Sequence, residues 1–392
     1  MRAEGVGLVS VDDAGLWRGG RYYLHHLVRS VAALSPERRL PLYDVAWRAR
    51  PQDDAFAEVR PLLSGSRIIA PPSGAAARLQ RRLRRAITKQ SDARDLFASA
   101  GVGALFPIAP CERPGVPVVF WLSDFQYRRL PELFTEAMRA WFQRHFDENV
   151  ARAQTVVLSS RHAFEDFCEF YPGSIGKARI LRFCSTPDDD WFALSPEEAA
   201  RVNAVEPPYL IVCNQFAHHK NYETIFEAMR ALRDRRVDVR LVCTGSAFGF
   251  HGPGYHEGLM RRLCEDRLEN VVRVLGLVPR VAQIALMRGA RALLQPSRFE
   301  GWSTTIEDAK TLGLSVLASD FPVHREQLEA CDGRLVAMDD AEAWADAIES
   351  LLAGPELPRP LREDIEVAAA KRARATGRAF VAIMRETSRC AL

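Results

Sequence analysis

Phe299-Glu300-Gly301-Trp302-Ser303-Thr304-Thr305-Ile306-Glu307-Asp308-Ala309-Lys310-Thr311 follows an apolar run, Ala292-Leu293-Leu294, and the turn Gln295-Pro296-Ser297. It runs into a helical pattern closed by Gly313, after which a second strand-like run, Leu314-Ser315-Val316-Leu317-Ala318, begins. The order is strand, turn, helix, strand. It places an acid and a glycine at the carboxyl end of a strand and lets three hydroxyl residues open a helix. A helix start offers unpaired backbone N–H groups and the positive end of the dipole, which suits an anion such as a diphosphate. Glu300 lies outside the helix start, where its charge does nothing to hold phosphate. A carboxylate beside a phosphate site is better explained as an acceptor for sugar hydroxyls.

This run resembles the acidic motif of family 4 glycosyltransferases, in which two carboxylates are separated by seven residues. In that family the second acid is followed by Ala and, beyond it, by Gly. Here Glu300 matches the first acid, and Asp308, followed by Ala309 and Gly313, matches the second. Glu307 preserves the residue type, but the register of Gly301, Ala309 and Gly313 selects Asp308. The resemblance continues through Ser319-Asp320-Phe321-Pro322-Val323-His324-Arg325-Glu326. It implies that Glu300 holds the donor sugar and Asp308 the ribose, at about one methylene less reach than Glu.

A chain of 392 residues is long for one core, so two domains are expected. Hydrophobic content of 47% and charge of 26% belong to ordinary globular proteins. A net charge of +3 gives no case for nucleic acid. No apolar stretch approaches the roughly 20 residues that span a bilayer, and Met1-Arg2-Ala3-Glu4 leads straight into a strand-like run without a signal-peptide core. Eight scattered cysteines contain no CxxC pair, which reads as a reduced cytoplasmic protein without a disulfide framework or zinc site.

Short apolar runs alternate with helical periods throughout, the pattern of parallel sheets covered by helices. Strands are expected at 6–11, 67–70, 104–106, 116–122 and 155–159, then at 209–214, 239–244, 271–275, 290–295 and 315–319. Helices are expected at 21–34 and 131–153. The stretch from Thr186 to Pro208, rich in Pro and acid, marks the boundary. The expectation is an α/β protein of two doubly wound, Rossmann-like domains facing each other across a cleft, the arrangement called GT-B. An acceptor-side domain spans 1–190 and a nucleotide-sugar domain 205–370, with a C-terminal helix, about 372–392, packed back on the first. Ligands in such sheets bind outside the carboxyl ends of the strands.

Three further constellations point to that rim. In Cys213-Asn214-Gln215-Phe216-Ala217-His218-His219-Lys220, Lys220 matches the lysine that these transferases place on the donor diphosphate, while Asn214 stands where many relatives carry Arg. The chain keeps only five lysines among 53 basic residues, so a compact point charge is wanted there; a solvated basic cluster is the plainer reading. Gly19 and Gly20, between the first strand and its helix, let backbone approach a phosphate or form a tight turn. Asp124, after Trp121-Leu122-Ser123, projects into an aromatic and basic loop. It is expected to orient the acceptor hydroxyl or to stabilise positive charge on the sugar, the alternative being a helix cap.

The chemistry follows from charge. Cleaving a sugar–diphosphate bond leaves an anionic leaving group and an oxocarbenium-like sugar. No Asp-x-Asp pair stands in a suitable loop, Asp188-Asp189-Asp190 lying in the expected linker. No metal and no bound cofactor are therefore expected. Lys220 and the backbone around Gly301, Trp302, Ser303 and Thr304 would meet the leaving group, and the backbone at Leu277 the base. The family resemblance implies retention of configuration, and, with no nucleophilic carboxylate identifiable, front-face attack by the acceptor is the expected route. GDP-mannose is the expected donor, and a glycan or lipid-linked acceptor of envelope polysaccharide synthesis the expected partner. The basic stretch 78–89, with its narrow apolar stripe, fits either peripheral contact with an anionic membrane or a surface helix docked on its own sheet. A catalytically inactive carbohydrate-binding or scaffolding subunit of the same fold stays open, as Asn214 and Asp308 depart from the pattern.

Overall fold

A computed structural model describes residues 5–10, 18–46, 55–68, 96–97, 99–108, 114–247, 254–329, 331, 333–356 and 358–390. The stretch 78–89 lies outside the described residues. Two compact units emerge. The first comprises residues 1–124, 140–184 and 370–392, and the second residues 125–139 and 185–369.

Among the described residues of the first unit every strand pairs in parallel. Strands β1 (Gly5–Leu8), β2 (Leu42–Ala46), β3 (Gly65–Ile68) and β4 (Val102–Phe106) form a sheet in the order β3-β2-β1-β4. Strands β5 (Val119–Leu122), β6 (Thr155–Leu158) and β7 (Ala178–Ile180) form a second, and a parallel bridge between Leu105 and Val118 joins the two. Burial of all four side chains in β5 and β6 fits the apolar runs Val119–Leu122 and Val156–Leu158, while the buried Thr155 that opens β6 hydrogen-bonds Thr387 Oγ1 at 2.6 Å. Tyr23, on the helix Arg18–Ala32, stacks on Trp121 at 3.8 Å, and the Trp121 indole donates to Ser159.

Among the described residues the second unit is built on one six-stranded parallel sheet. Strands β8 (Tyr209–Cys213), β9 (Arg240–Thr244), β10 (Val272–Gly276), β11 (Leu293–Gln295), β12 (Val316–Ser319) and β13 (Gly333–Val336) lie in the order β10-β9-β8-β11-β12-β13. That is the dinucleotide-binding order, and it reverses between β8 and β11. Alternation along the strands feeds two cores. Leu210, Val212, Leu294 and Leu317 pack under the helix Tyr222–Asp234, while Ile211, Cys213, Leu293 and Val316 face the helices Arg280–Gly289 and Thr304–Leu312. Each such residue, fully buried, contributes roughly 1.5–3 kcal/mol. Where β9 ends beside β8, Gly245 has φ +151°, and a Cβ there would stand 1.9 Å from the Asn214 carbonyl oxygen, so only glycine lets the two strands end this close.

Several boundaries differ from those the sequence predicts. The first helix begins at Arg18, so Gly19 and Gly20 lie inside its first turn rather than in a loop before it. The helix expected over 131–153 is split into a short turn, Pro131–Leu133, and a helix from Glu136 to Arg152, because Phe134 turns extended. Residues 125–139 group with the second unit: Leu130 packs against the cluster of Phe299, Phe321 and Val323. Within the acidic stretch after Thr186, Asp189–Phe192 form a helical turn and Pro196–Val202 a helix capped by Ser195, all within the second unit.

Candidate functional site

The carboxyl ends of β8 and β11 carry the candidate site, and its two loops are tied together by backbone. After β8 the chain makes a helical turn, His218–Lys220, that Asn221 ends in the left-handed region at φ 55°. Asn tolerates that conformation, and its buried amide donates to the Met338 carbonyl at 3.0 Å. The Arg298 N–H donates to the His219 carbonyl at 2.7 Å, stitching this turn to the loop that bears Glu300. Lys220 and Glu300 therefore meet: Lys220 Nζ lies 2.6 Å from Glu300 Oε1, with the two side chains only 12% and 10% exposed. Burial pushes the Glu300 carboxyl up, but the Lys220 ammonium, helped by His324, outweighs it and holds the group below the usual range.

Glu300 is held from a second side by Gln295, whose Nε2 donates to the same Oε1 at 2.7 Å. The expected partner of the diphosphate, Asn214, is buried and donates to Gln295 Oε1 at 3.1 Å. Behind them His324 is fully buried, its Nδ1 3.0 Å from the Ser319 carbonyl. Burial lowers its pKa against the raising effect of Glu300. The sign follows: a histidine depressed below its unfolded value of about 6.5 contributes stability above that pH and loses it as the pH falls toward the folded value. Melting temperature is accordingly expected to drop between pH 7 and 5, and His324→Asn to flatten part of that slope. A slope unchanged in the variant would show that His324 does not titrate in this window.

The helix Thr304–Leu312 starts as expected, with Ser303 Oγ accepting from the Ile306 N–H at 3.3 Å. Two of its groups are engaged differently from expectation. The Ser303 N–H donates to Gln327 Oε1 at 3.0 Å, so this donor is committed to a neighbouring helix. Asp308 is fully buried, accepts from Ser185 Oγ at 2.6 Å, and pairs with Arg280 Nη2 at 2.7 Å. Glu307, also buried, pairs with Lys310 at 2.9 Å and accepts from Gln327 at 3.1 Å. Both acids thus serve the interior of the second unit.

Gly301 is buried beside Glu300, and half-buried Trp302 packs in the Phe299–Phe321 cluster. Thr304 is half-buried in the first helical turn. Leu277, just after β10, is 54% exposed at the same rim. Asp124 follows β5 in the first unit and accepts from Ser123 Oγ at 3.1 Å; Phe125, not Asp124, occupies the cap position of the short helix Gln126–Arg129. Gly19 and Gly20 also belong to the first unit. The sequence reading missed Gln295, Gln327, Arg280 and Ser185, whose partners lie up to 123 residues away. The sequence shows of Gln295 only that a glutamine closes an apolar run before Pro296, which does not disclose its partners.

A cavity at the amino ends of β12 and β13 is lined by Arg291, Arg334 and Arg359. Their guanidiniums already serve the carbonyls of Leu351, Gly354 and Ala290 and the Ser350 hydroxyl, which reads as a fastening of a helix end. Among the described residues no cluster of three or more His, Cys, Asp or Glu is gathered as for a metal, and no helix is long and apolar enough to cross a membrane.

Two Rossmann-like units built on parallel strands, and this rim, match the GT-B architecture, which solved structures share at low identity. HepE of Anabaena, in complex with UDP and glucose, superposes with a TM-score of 0.62 at 15% identity over 99% of each chain. Sucrose-phosphate synthase of Thermosynechococcus elongatus gives 0.61 at 16%, over 99% of this chain and 98% of that one. WaaG, a glycosyltransferase involved in lipopolysaccharide biosynthesis, gives 0.56 at 16%, over 98% and 99%. Residues 196–372, which contain the whole second sheet, match the family model of glycosyl transferases group 1. No curated protein sequence matches the chain.

Proposed function

We propose that the protein is a retaining, metal-independent glycosyltransferase that moves a hexose from a nucleotide-diphosphate sugar to a glycan or lipid-linked acceptor. The observation that carries this reading is the Lys220–Glu300 pair at the carboxyl rim, beside a helix start. The group 1 match over the same sheet supports it, as does the fold shared with HepE, which was crystallised with UDP and glucose. The second unit takes the donor and the first the acceptor, with Asp124, Gly19 and Gly20 on the acceptor side.

In this mechanism the donor diphosphate draws Lys220 off Glu300, and the freed carboxylate accepts hydroxyls of the transferred sugar. The acceptor oxygen forms its bond to the anomeric carbon on the face from which the diphosphate leaves. As the carbon–oxygen bond to phosphate breaks, the acceptor proton passes to the departing oxygen. Lys220 and the helix start meet the leaving charge, so no divalent metal is required.

The test is incubation with a panel of nucleotide sugars, GDP-mannose and UDP-glucose included, with and without excess chelator. Transfer or slow diphosphate release that persists in chelator supports the reading. Binding of no donor would favour a scaffolding subunit, and loss in chelator restored by Mn²⁺ would overturn the metal-independent chemistry. Glu300→Gln is expected to lower kcat about 100-fold, with KM for the donor changed only a few-fold, because sugar hydroxyls matter most as the ring flattens. A variant with wild-type kcat would take Glu300 away from the sugar.

A further inference from the structure

We infer that Gln295 is a positioning residue that keeps the Glu300 carboxylate aimed when Lys220 leaves it for the donor; this rests on Glu300 being the acid that holds the sugar. Gln295 ends β11 and has no exposed surface. All four hydrogen-bonding positions of its amide are used. Oε1 accepts from Asn214 Nδ2 at 3.1 Å and Thr305 Oγ1 at 3.0 Å, while Nε2 donates to Ser297 Oγ at 3.0 Å and Glu300 Oε1 at 2.7 Å. The orientation of this amide is settled by chemistry. An ionised carboxylate only accepts, so the group facing Glu300 has to be the NH₂.

The amide therefore joins three elements at one oxygen: the end of β8 through Asn214, its own strand, and the first helical turn through Thr305. Ser297, which accepts from it, also hydrogen-bonds Glu300. Lys220 approaches that same Oε1, but from a turn outside this network and on a flexible stem. If Lys220 alone oriented Glu300, the acid would lose its only guide at the moment a diphosphate captured the ammonium. Gln295 supplies a second, uncharged hold that a phosphate does not compete for. The same amide occupies Asn214, so the residue standing where many relatives carry Arg is used here to brace the acid.

The test uses the full chain, a donor that the wild type turns over, and bare UDP and GDP. Gln295→Met keeps the length but removes the donors. It is expected to lower kcat at least tenfold and leave the affinity for bare nucleoside diphosphate within threefold, since Lys220 is untouched. Gln295→Glu is the isosteric control. Where the introduced carboxyl and Glu300 share one proton, that proton restores the missing donor; at higher pH both ionise and repel. The ratio of Gln295→Glu to wild-type kcat is therefore expected to be highest near pH 5 and to fall toward pH 8. Lys220 and His324, the other charged or titratable groups beside Glu300, are common to both proteins.

Wild-type kcat in Gln295→Met, or a ratio flat with pH in Gln295→Glu, would overturn the proposal. So would a joint fall of kcat, bare-nucleotide affinity and melting temperature in both variants, which is the signature of a merely structural amide. A wild type silent toward every donor removes the transferase reading and the role of Gln295 with it. An active wild type with an intact Gln295→Met variant removes the role of Gln295 alone.

Discussion

Lys220→Ala is expected to cost about 2–5 kcal/mol of donor or transition-state binding, a fall in kcat/KM of about thirtyfold to several thousandfold. The size comes from the geometry of the pair. With both partners about nine-tenths buried and 2.6 Å apart, the ammonium sits where little water screens it from a diphosphate that replaces Glu300. The variant also leaves Glu300 without its counter-ion, so burial, no longer opposed by Lys220, drives its pKa up. A carboxyl raised above its unfolded value of about 4.3 destabilises the fold as the pH climbs past that value. The loss in melting temperature is therefore expected to be larger at pH 7 than at pH 5, and adding Glu300→Gln should recover most of it while activity stays low. Transfer within a factor of three of wild type would remove Lys220 from the site.

That pairing shows how far the sequence carries and where it stops. The strand–turn–helix around Glu300 was legible because each part has a local cause: an apolar run for β11, Ser303 as a cap, and Gly313 in the left-handed region closing the helix at φ 63°. Lys220 stood out by its rarity among arginines. Strands β2, β7 and β13 escaped notice for the opposite reason. β2 carries Asp44 at its centre, and β7 and β13 are short edge strands bearing Arg179 and Arg334, so none shows a continuous apolar run. The brackets around the acids were not legible at all. Ser185 meets Asp308 across 123 positions and Asn214 meets Gln295 across 81, and no local pattern encodes such meetings.

Asp308→Ala is expected to lower stability by about 3–5 kcal/mol, the loss usual when one partner of a buried pair is removed. Asp308 has no exposed surface, and its two oxygens are met by Ser185 and by Arg280, whose own side chain is 21% exposed. Without the carboxylate the guanidinium beside Trp191 loses the buried counter-charge that Asp308 supplies. Combining Asp308→Leu with Arg280→Met should recover much of the loss, because an apolar pair no longer carries the desolvation cost, and a thermal-melt double-mutant cycle reads that coupling directly. Asp308→Asn separates structure from donor binding. It keeps an acceptor for Ser185, so a folded variant with raised donor KM and little change in kcat would place the residue near the ribose in the loaded protein, as the motif implies. Glu307→Gln should be milder, at roughly 1 kcal/mol, since Lys310 can swing its ammonium to water along a flexible stem. Its position, about 100° around the helix from Asp308, takes it toward Gln327 instead. If Glu307→Gln raises the donor KM while Asp308→Asn leaves it unchanged, the helix presents Glu307 to the nucleotide on binding, and the Arg280–Asp308 pair is purely a brace of the second unit.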